Sequence, residues 1–279
     1  MSKNKHIFKK KYGQNFLNDL NLMNLIIKET NLKRKNVVEI GPGKGILTRL
    51  ILDKAKKVLA YEIDYDLKSF LNFDSNLPID IIYDDFLLRD LEKDLEKYFK
   101  EEEVILVGNL PYNIAVPILL KVLFNKKIKT FTIMIQKELG LRILSKSKSK
   151  NYNALSVFVQ SLTKITKIKI VKKGMYFPKP KVDGIILKFD KLFLDKKEQK
   201  FIETDFYQFI RFSFKQKRKK LINNLSKNFE IKKKEVICFF KENKIPLNIR
   251  AEEIDIEQFK KISYLFLNFL SLVKKVCIL

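Results

Sequence analysis

Short apolar runs alternate with amphipathic stretches through the first two thirds of the chain, and beyond about Lys191 only the amphipathic stretches continue. Asn36–Ile40, Val58–Tyr61, Ile79–Tyr83, Val104–Val107 and Thr130–Ile135 have the length and the Val/Ile content of buried strands. Leu20–Glu29, Ile46–Leu52 and Ile114–Phe124 carry apolar residues at helical spacing, the first with Asp19 in the N-cap position. Asp64–Phe70 reads as a short polar helix. Strand, glycine-rich turn and helix in that order open a nucleotide-type βαβ unit, so the pattern predicts an α/β fold.

Further along, Glu138–Leu144 and Asn153–Leu162 suit helices, and Ile165–Val171 and Gly184–Phe189 suit strands. The basic stretch Ser145–Lys150 reads as a solvated loop or a phosphate contact. After Lys191 come helices alone: Lys197–Phe212, Lys217–Leu225, Lys232–Glu242 and Gln258–Val273. The junction is expected in Lys191–Lys196, with one domain over residues 1–190 and a helical one over 191–279.

Composition narrows the chemistry. A single histidine, His6, and two cysteines without metal-type spacing, Cys238 and Cys277, exclude most zinc hydrolases, Ser-His-Asp triads and histidine relays. The cysteines read as free thiols. No stretch reaches the ~18 apolar residues of a membrane span, and Ile7-Phe8 is no signal-peptide core. The expectation is a cytosolic protein with no membrane contact. A formal charge of +25 points to a nucleic-acid partner. Lysine outnumbers arginine 50 to 7, however, and codon drift toward A and T produces the same skew.

The strand ends carry the candidate site, because ligands of open α/β sheets bind at the carboxyl ends of the strands. Gly41-Pro42-Gly43-Lys44-Gly45 follows the first strand; its G-x-G-x-G spacing is neither a dinucleotide fingerprint nor a P-loop. Glu62 ends the second strand, 21 positions after Gly41, where such folds hold ribose hydroxyls. Asp84-Asp85-Phe86 ends the third, where a carboxylate could accept from an adenine amine. Gly108-Asn109-Leu110-Pro111-Tyr112-Asn113 ends the fourth. There the Asn109 carboxamide oxygen and the Leu110 carbonyl could both accept from an exocyclic amine and aim its lone pair at an electrophile. Pro111 fixes φ near ~−65°, and Tyr112 offers a stacking face for an unstacked base. A strand-end turn with a packed tyrosine accounts for the same residues.

Five segments in register carry a resemblance: Gly13-Gln14-Asn15-Phe16-Leu17, Glu39-Ile40-Gly41-Pro42-Gly43-Lys44-Gly45, Asn109-Leu110-Pro111-Tyr112-Asn113, Gln136-Lys137-Glu138 and Pro178-x-Pro180-Lys181-Val182-Asp183. In that order they resemble the ribosomal RNA adenine dimethyltransferases, in particular the bacterial small-subunit branch, and the likeness extends to Arg250-Ala251-Glu252. It implies a Rossmann-like S-adenosylmethionine methyltransferase domain with a smaller all-α C-terminal domain. The implied cofactor contacts are Asn15, Leu17, Gly41, Glu62, Asp85 and Asn109. The implied catalytic group is Asn109, Leu110, Pro111, Tyr112 and Tyr176. The implied substrate is a pair of adjacent adenosines near the 3′ end of small-subunit ribosomal RNA, presented in a pre-small-subunit particle to a monomeric enzyme.

Two positions depart from the family pattern: Tyr176 stands where phenylalanine is usual and Gly184 where serine is usual. The tyrosine is expected to keep the stacking face, while Gly184 has no hydroxyl for any hydrogen bond the family makes there. Two other readings share the motifs, an antibiotic-resistance methylase of large-subunit RNA and a non-catalytic ribosome-assembly factor. In the helical region, Phe214–Leu221 is expected to be helical. Lys215, Arg218 and Lys219 would then share one face, either solvated or docking RNA phosphates.

Overall fold

The computed structural model describes residue 9, residues 12–17 and residues 19–276; His6 and Cys277 lie outside them. Contacts divide the chain into two units, residues 1–140 with 164–191, and residues 141–163 with 192–279. The single cut expected near 191 is thereby corrected. The segment 141–163 joins the helical unit because α6 (Ala154–Leu162) packs on helices that follow residue 192.

The first unit contains nine strands among the described residues: β1 (Phe16–Leu17), β2 (Asn36–Ile40), β3 (Lys57–Glu62), β4 (Ile79–Tyr83), β5 (Val104–Asn109), β6 (Ile128–Gln136), β7 (Thr163–Val171), β8 (Tyr176–Phe177) and β9 (Gly184–Lys191). Seven form one sheet in the order β4-β3-β2-β5-β6-β9-β7. The pairs β4-β3, β3-β2, β2-β5 and β5-β6 are parallel, and β9 runs antiparallel to β6. Strands buried on both faces read as unbroken apolar runs, and Val37, Val38, Val58, Leu59 and Leu106 are all fully buried. The chain builds outward from β2 to β4, then returns to place β5 on the other side of β2. That reversal is the switch point of the sheet.

Helices α1 (Leu20–Thr30), α2 (Ile46–Leu52), α3 (Leu91–Phe99), α4 (Ala115–Phe124) and α5 (Lys137–Ile143) follow the strands. Asp19 caps α1 as expected, its carboxylate accepting from Leu22 N at 2.8 Å. At the other end the Thr30 hydroxyl donates to Ile26 O and lies 2.8 Å from the Thr132 hydroxyl of β6, tying helix to sheet. Residues 64–70 form a 3₁₀ turn capped by Asp64 rather than an α-helix. Helix α3 was not expected from the sequence, since Leu91-Glu92-Lys93-Asp94-Leu95-Glu96-Lys97-Tyr98-Phe99 is mostly polar. It nonetheless buries Leu91, Leu95 and Phe99 at i, i+4, i+8. Strands β1 and β8 were also unforeseen. They pair antiparallel as a two-residue ladder, Phe16 against Phe177 and Leu17 against Tyr176.

The second unit packs α6, α7 (Lys196–Phe201), α8 (Tyr207–Ser213), α9 (Leu221–Phe229), α10 (Lys233–Glu242) and α11 (Ile256–Val276) around phenylalanines. Phe266 is the hub, with ring centroids of Phe229, Phe239 and Phe209 at 5.2, 5.3 and 5.6 Å. The helix expected over 197–212 is interrupted by a π-turn, Ile202–Phe206, which turns Ile202 and Phe206 into the core. The helix expected from Lys217 does not form. Residues 214–220 are a turn, and α9 begins at Leu221. The buried Asn224 side chain holds that turn, donating to Ser213 O and Gln216 O and accepting from Gln216 N. Side-chain amides that bind backbone in this way compete with helical hydrogen bonds. Cys238 is a free, exposed thiol.

One core group makes stability depend on pH. Glu39 in β2 is 1 % exposed, and its Oε2 has no hydrogen-bond partner among the described residues. Burial pushes its pKa up to about 8, against the pull of the Thr48 hydroxyl and with the neighbouring Glu62 charge adding to the rise. In the unfolded chain the group ionises near ~4.3, so folding at neutral pH takes up a proton. Stability from this source is complete below the unfolded pKa and falls as pH rises to about 8. Glu39→Gln should flatten urea-melt stability between pH 5 and 8 and raise it at pH 8 by roughly a few kcal/mol. An unchanged slope in that window would contradict the assignment.

Candidate active site

Parallel pairing of β2 with β5 sets Ile40 opposite Gly108, so the two strands end side by side. The glycine turn after β2 and the Asn109 turn after β5 therefore face each other across the switch point. Gly41 has φ +69° and donates to Tyr61 O at 2.9 Å, pinning the turn to β3. At Gly43, a Cβ would lie 2.6 Å from the Phe16 ring, so glycine lets the leader pack directly on the turn. Between these turns lies a cleft of about 750 Å3, counting the solvent open to it, lined in part by Gly41, Glu62, Asp85, Phe86, Asn109 and Tyr112.

The orientation of Asn109 is set by the leader. Its Nδ2 donates to the main-chain carbonyl of Asn15 at 2.9 Å. Asn15 is held in turn, its own Nδ2 donating to Gly13 O at 3.0 Å. That bond directs the amide nitrogen toward the leader and so turns the carboxamide oxygen, the group's acceptor, away from it. Leu110 N donates to Met134 O, which fixes the peptide plane that follows. Pro111 O accepts from Ile114 N and closes the turn into α4.

Glu62 is 4 % exposed and fully ordered by backbone. Its Oε2 accepts from Gly43 N at 3.0 Å and its Oε1 from Asp64 N at 2.9 Å. Burial raises its pKa, and those two N–H groups oppose the rise. Each carboxylate oxygen keeps a second lone pair, as a vicinal diol requires. Asp64 ties the leader down: Lys9 Nζ reaches it at 2.5 Å and Gln14 Nε2 at 2.6 Å. Burial alone would raise the Asp64 pKa, but these partners hold it below the usual carboxylate range. Nothing local in the sequence marks Lys9, Gln14 and Asp64 as a clamp. Pairing across such a separation in the chain leaves no local signal.

Asp85 sits at the end of β4 with Oδ1 accepting from Leu87 N at 2.8 Å, which leaves Oδ2 for a ligand. The loop behind it is anchored by a lysine the sequence did not flag. Lys121 Nζ of α4 donates to Phe86 O, Leu87 O and Arg89 O. Arg89 pairs with the buried Asp94 of α3 at 2.7 Å, so the unforeseen helix helps hold the loop that carries Asp85.

Leu17 is buried and lines a second cavity that also takes in Gly41, Gly108 and Asn109, while the neighbouring Phe16 lines both that cavity and the larger cleft. Tyr176 pairs with Leu17 and is only 4 % exposed, so its ring offers no open face for a base; the exposed aromatic of that ladder is Phe177.

Similarity to known proteins agrees with this arrangement. The family model for ribosomal RNA adenine dimethylase matches residues 5–267. The chain belongs to that family. Among curated relatives, the ribosomal RNA small subunit methyltransferase A of Aster yellows witches'-broom phytoplasma is 52% identical over 270 residues, covering 94% of this chain and 98% of the relative. The protein of the same name from Bacillus pumilus is 38% identical over 267 residues, 92% and 90% covered. A crystal structure of a dimethyladenosine transferase from Plasmodium falciparum superposes with TM-score 0.74 at 23% identity, over 91% of this chain and 98% of that one. The 23S rRNA methyltransferase ErmE superposes at 0.66 and 23%, over 90% and 99%. At that identity both report the shared fold: a Rossmann-like methyltransferase domain followed by helices.

Members of this adenine dimethylase family are methyltransferases that use S-adenosylmethionine and act on ribosomal RNA. The cleft suits that cofactor: a doubly braced acid for ribose hydroxyls, a second acid with a vacant oxygen for the adenine amine, and apolar walls between them. No helix is long and apolar enough to cross a membrane, and no cluster of metal-ligating residues occurs among the described residues.

If Glu62 and Asp85 hold the nucleoside, Glu62→Ala and Asp85→Ala should each weaken S-adenosylmethionine binding by roughly 1.5–3 kcal/mol, about tenfold or more. Calorimetric titration reads this directly, and unchanged affinity in both variants would remove them from the site.

Proposed function

We propose that this enzyme dimethylates the exocyclic amines of two adjacent adenosines in a hairpin near the 3′ end of small-subunit ribosomal RNA. Its target is then a pre-small-subunit particle in the cytoplasm, met by a monomeric enzyme. The family and the names of the curated relatives support the substrate class. The observation that carries the chemistry is the hydrogen bond from Asn109 Nδ2 to Asn15 O, which leaves the carboxamide oxygen turned out as an acceptor.

When bound, S-adenosylmethionine supplies a sulfonium methyl with a neutral thioether leaving group. The protein's task is therefore positioning and desolvation rather than activation of a leaving group. Glu62 and Asp85 would fix the nucleoside from two directions. Asn109 Oδ1 and the Leu110 carbonyl would accept both protons of the adenine amine, localise its lone pair and direct it along the methyl axis. Tyr112 would stack on the base once it has left its helix. None of these steps uses an imidazole, which fits a chain with one histidine.

The second unit offers the surface for RNA backbone. Lys148, Arg218, Lys219, Lys220 and Arg250 ring a broad, solvent-open recess that includes only two acids, Glu252 and Glu253. The turn at 214–220 presents Arg218 and Lys219 to solvent, whereas Lys217 folds back onto Lys150 O and Glu252.

Labelled S-adenosylmethionine offered with undermethylated small subunits and with large-subunit RNA tests the reading. Label should enter adenines of the small subunit; label only in large-subunit RNA would favour the antibiotic-resistance type of methylase, and none at all a non-catalytic assembly role. In binding titrations against small subunits at several salt concentrations, replacing Arg218, Lys219 and Lys220 with glutamine should shrink the slope of log affinity against log salt by roughly 2–3 units if all three meet phosphates. Cofactor affinity should stay at the parent value.

A further inference from the structure

Among the described phenylalanines of the first unit, Phe177 is the most exposed. Its side chain is 59 % open to solvent, whereas Tyr176 beside it is buried. The two-residue ladder explains the split, because residues directly opposite in an antiparallel pair project from the same face. Leu17 and Tyr176 share one face, both buried, and Phe16 and Phe177 share the other. Phe16 lines the cleft that takes in Glu62, Asp85 and Asn109. Ladder pairing sets the Cα of Phe177 roughly 4.5–5.5 Å from that of Phe16, so Phe177 stands beside the cleft.

The segment that carries this ring is fixed at both ends. The Asp183 carboxylate accepts from Lys173 N at 3.0 Å and the Asp183 carbonyl from Lys137 N at 2.9 Å, which closes the stretch 173–183 onto the start of α5. Pro178 and Pro180 fix φ at two positions within it. The charge around the ring is largely of one sign. Lys172, Lys173, Lys179 and Lys181 are all exposed. The one acid from 172 to 183 is Asp183, and it faces Lys137 and Lys172 at 3.9 and 3.6 Å. Lys44 of the glycine turn adds a cation 5.7 Å from the centroid of the Phe16 ring. An aromatic face set among cations is how single-stranded nucleic acid is held, the bases stacking while the cations follow the backbone.

We propose that Phe177 is a stacking platform for the nucleotide next to the target adenosine, with Lys179 and Lys181 holding the phosphates that flank it. This rests on the adenine reading of the Asn109–Tyr112 turn and extends that reading to a second base. When one adenosine leaves its stack to reach Asn109, the base beside it loses a stacking neighbour, and an exposed ring next to the cleft replaces that neighbour. The reacting position and the platform are joined through the leader: Asn15 O holds Asn109, and the next residue, Phe16, is laddered to Phe177. Seating the flanking base therefore helps to align the reacting one. The platform contributes to affinity for RNA and not to affinity for the cofactor.

The experiment compares the parent with Phe177→Ala, Phe177→Leu, Phe177→Trp and Lys179→Gln/Lys181→Gln. The first readout is binding of a short single-stranded oligoadenylate and of an abasic strand with the same number of phosphates, which requires no particular target RNA. Phe177→Ala should weaken oligoadenylate binding by about tenfold, within the range of one base–aromatic stack, and leave abasic binding at the parent value. Phe177→Trp should bind as the parent does. Phe177→Leu should bind as weakly as the alanine variant, because leucine keeps apolar bulk without a π-face. Lys179→Gln/Lys181→Gln should weaken binding of both strands and shrink the salt slope by roughly 1–2 units. The second readout is methyl transfer to small subunits. There Phe177→Ala should raise KM for the subunit by about tenfold, with KM for S-adenosylmethionine unchanged. Equal oligoadenylate affinity in the parent and Phe177→Ala, full rescue by leucine, or an equal rise in KM for the cofactor overturns the platform. Inactivity of the parent toward small subunits would instead count against the adenine reading, and the oligoadenylate comparison would still decide the platform.

Discussion

Everything at the site depends on β2 and β5 being neighbours that run the same way. Their pairing puts the chain's glycine turn and its amide turn at one sheet edge, although Gly41 and Asn109 are far apart in sequence. Parallel neighbours need long crossovers, and here the crossover contains β3 and β4. The acids Glu62 and Asp85, at the ends of those strands, are thereby delivered to the same cleft. One topological choice thus assembles four positions that could not meet in a meander.

Given that frame, the leader supplies precision. Asn15 contributes a carbonyl rather than a side chain, and Asn109 spends its only donor group on it. Lys9 and Gln14 converge on Asp64, whose backbone N–H also braces Glu62. The leader, Glu62 and Asn109 are consequently one hydrogen-bonded unit. An enzyme that must align a weak nucleophile with a good electrophile gains more from such rigidity than from a strong base.

Local pattern made much of this legible. The strands from Asn36, Val58, Ile79, Val104 and Thr130, and the helices after Asp19 and Gly45, formed within a residue or two of expectation because apolar runs and caps act locally. What was missed depends on distant partners. Helix α3 is held by apolar residues at only three of nine positions together with the Arg89–Asp94 pair. The β1–β8 ladder joins residues 159 and 161 apart and is too short to show alternation. Lys215–Lys219 is rich in helix-compatible residues, yet Asn224 captures its backbone and makes it a turn. The family likeness implies Leu17 and Tyr176 as site residues; the ladder that pairs them buries both side chains, Leu17 in the wall of a cavity it shares with Gly41 and Asn109. The departure at 184 read as a lost hydroxyl; the structure shows the hydroxyl of Tyr176 in that space.

The central claim is that Asn109 works as an acceptor whose orientation is set by Asn15 O. Single-turnover methyl transfer by Asn109→Asp tests it most directly, because aspartate keeps the shape and an acceptor oxygen but replaces the donor to Asn15 with a repelled carboxylate. The account predicts a fall of about a hundredfold or more in the transfer rate, the scale of losing a preorganised contact at the reacting atom. RNA affinity should remain within about twofold, since phosphate contacts dominate such affinity and the substitution leaves the basic recess of the second unit unchanged. A transfer rate near that of the parent would contradict it.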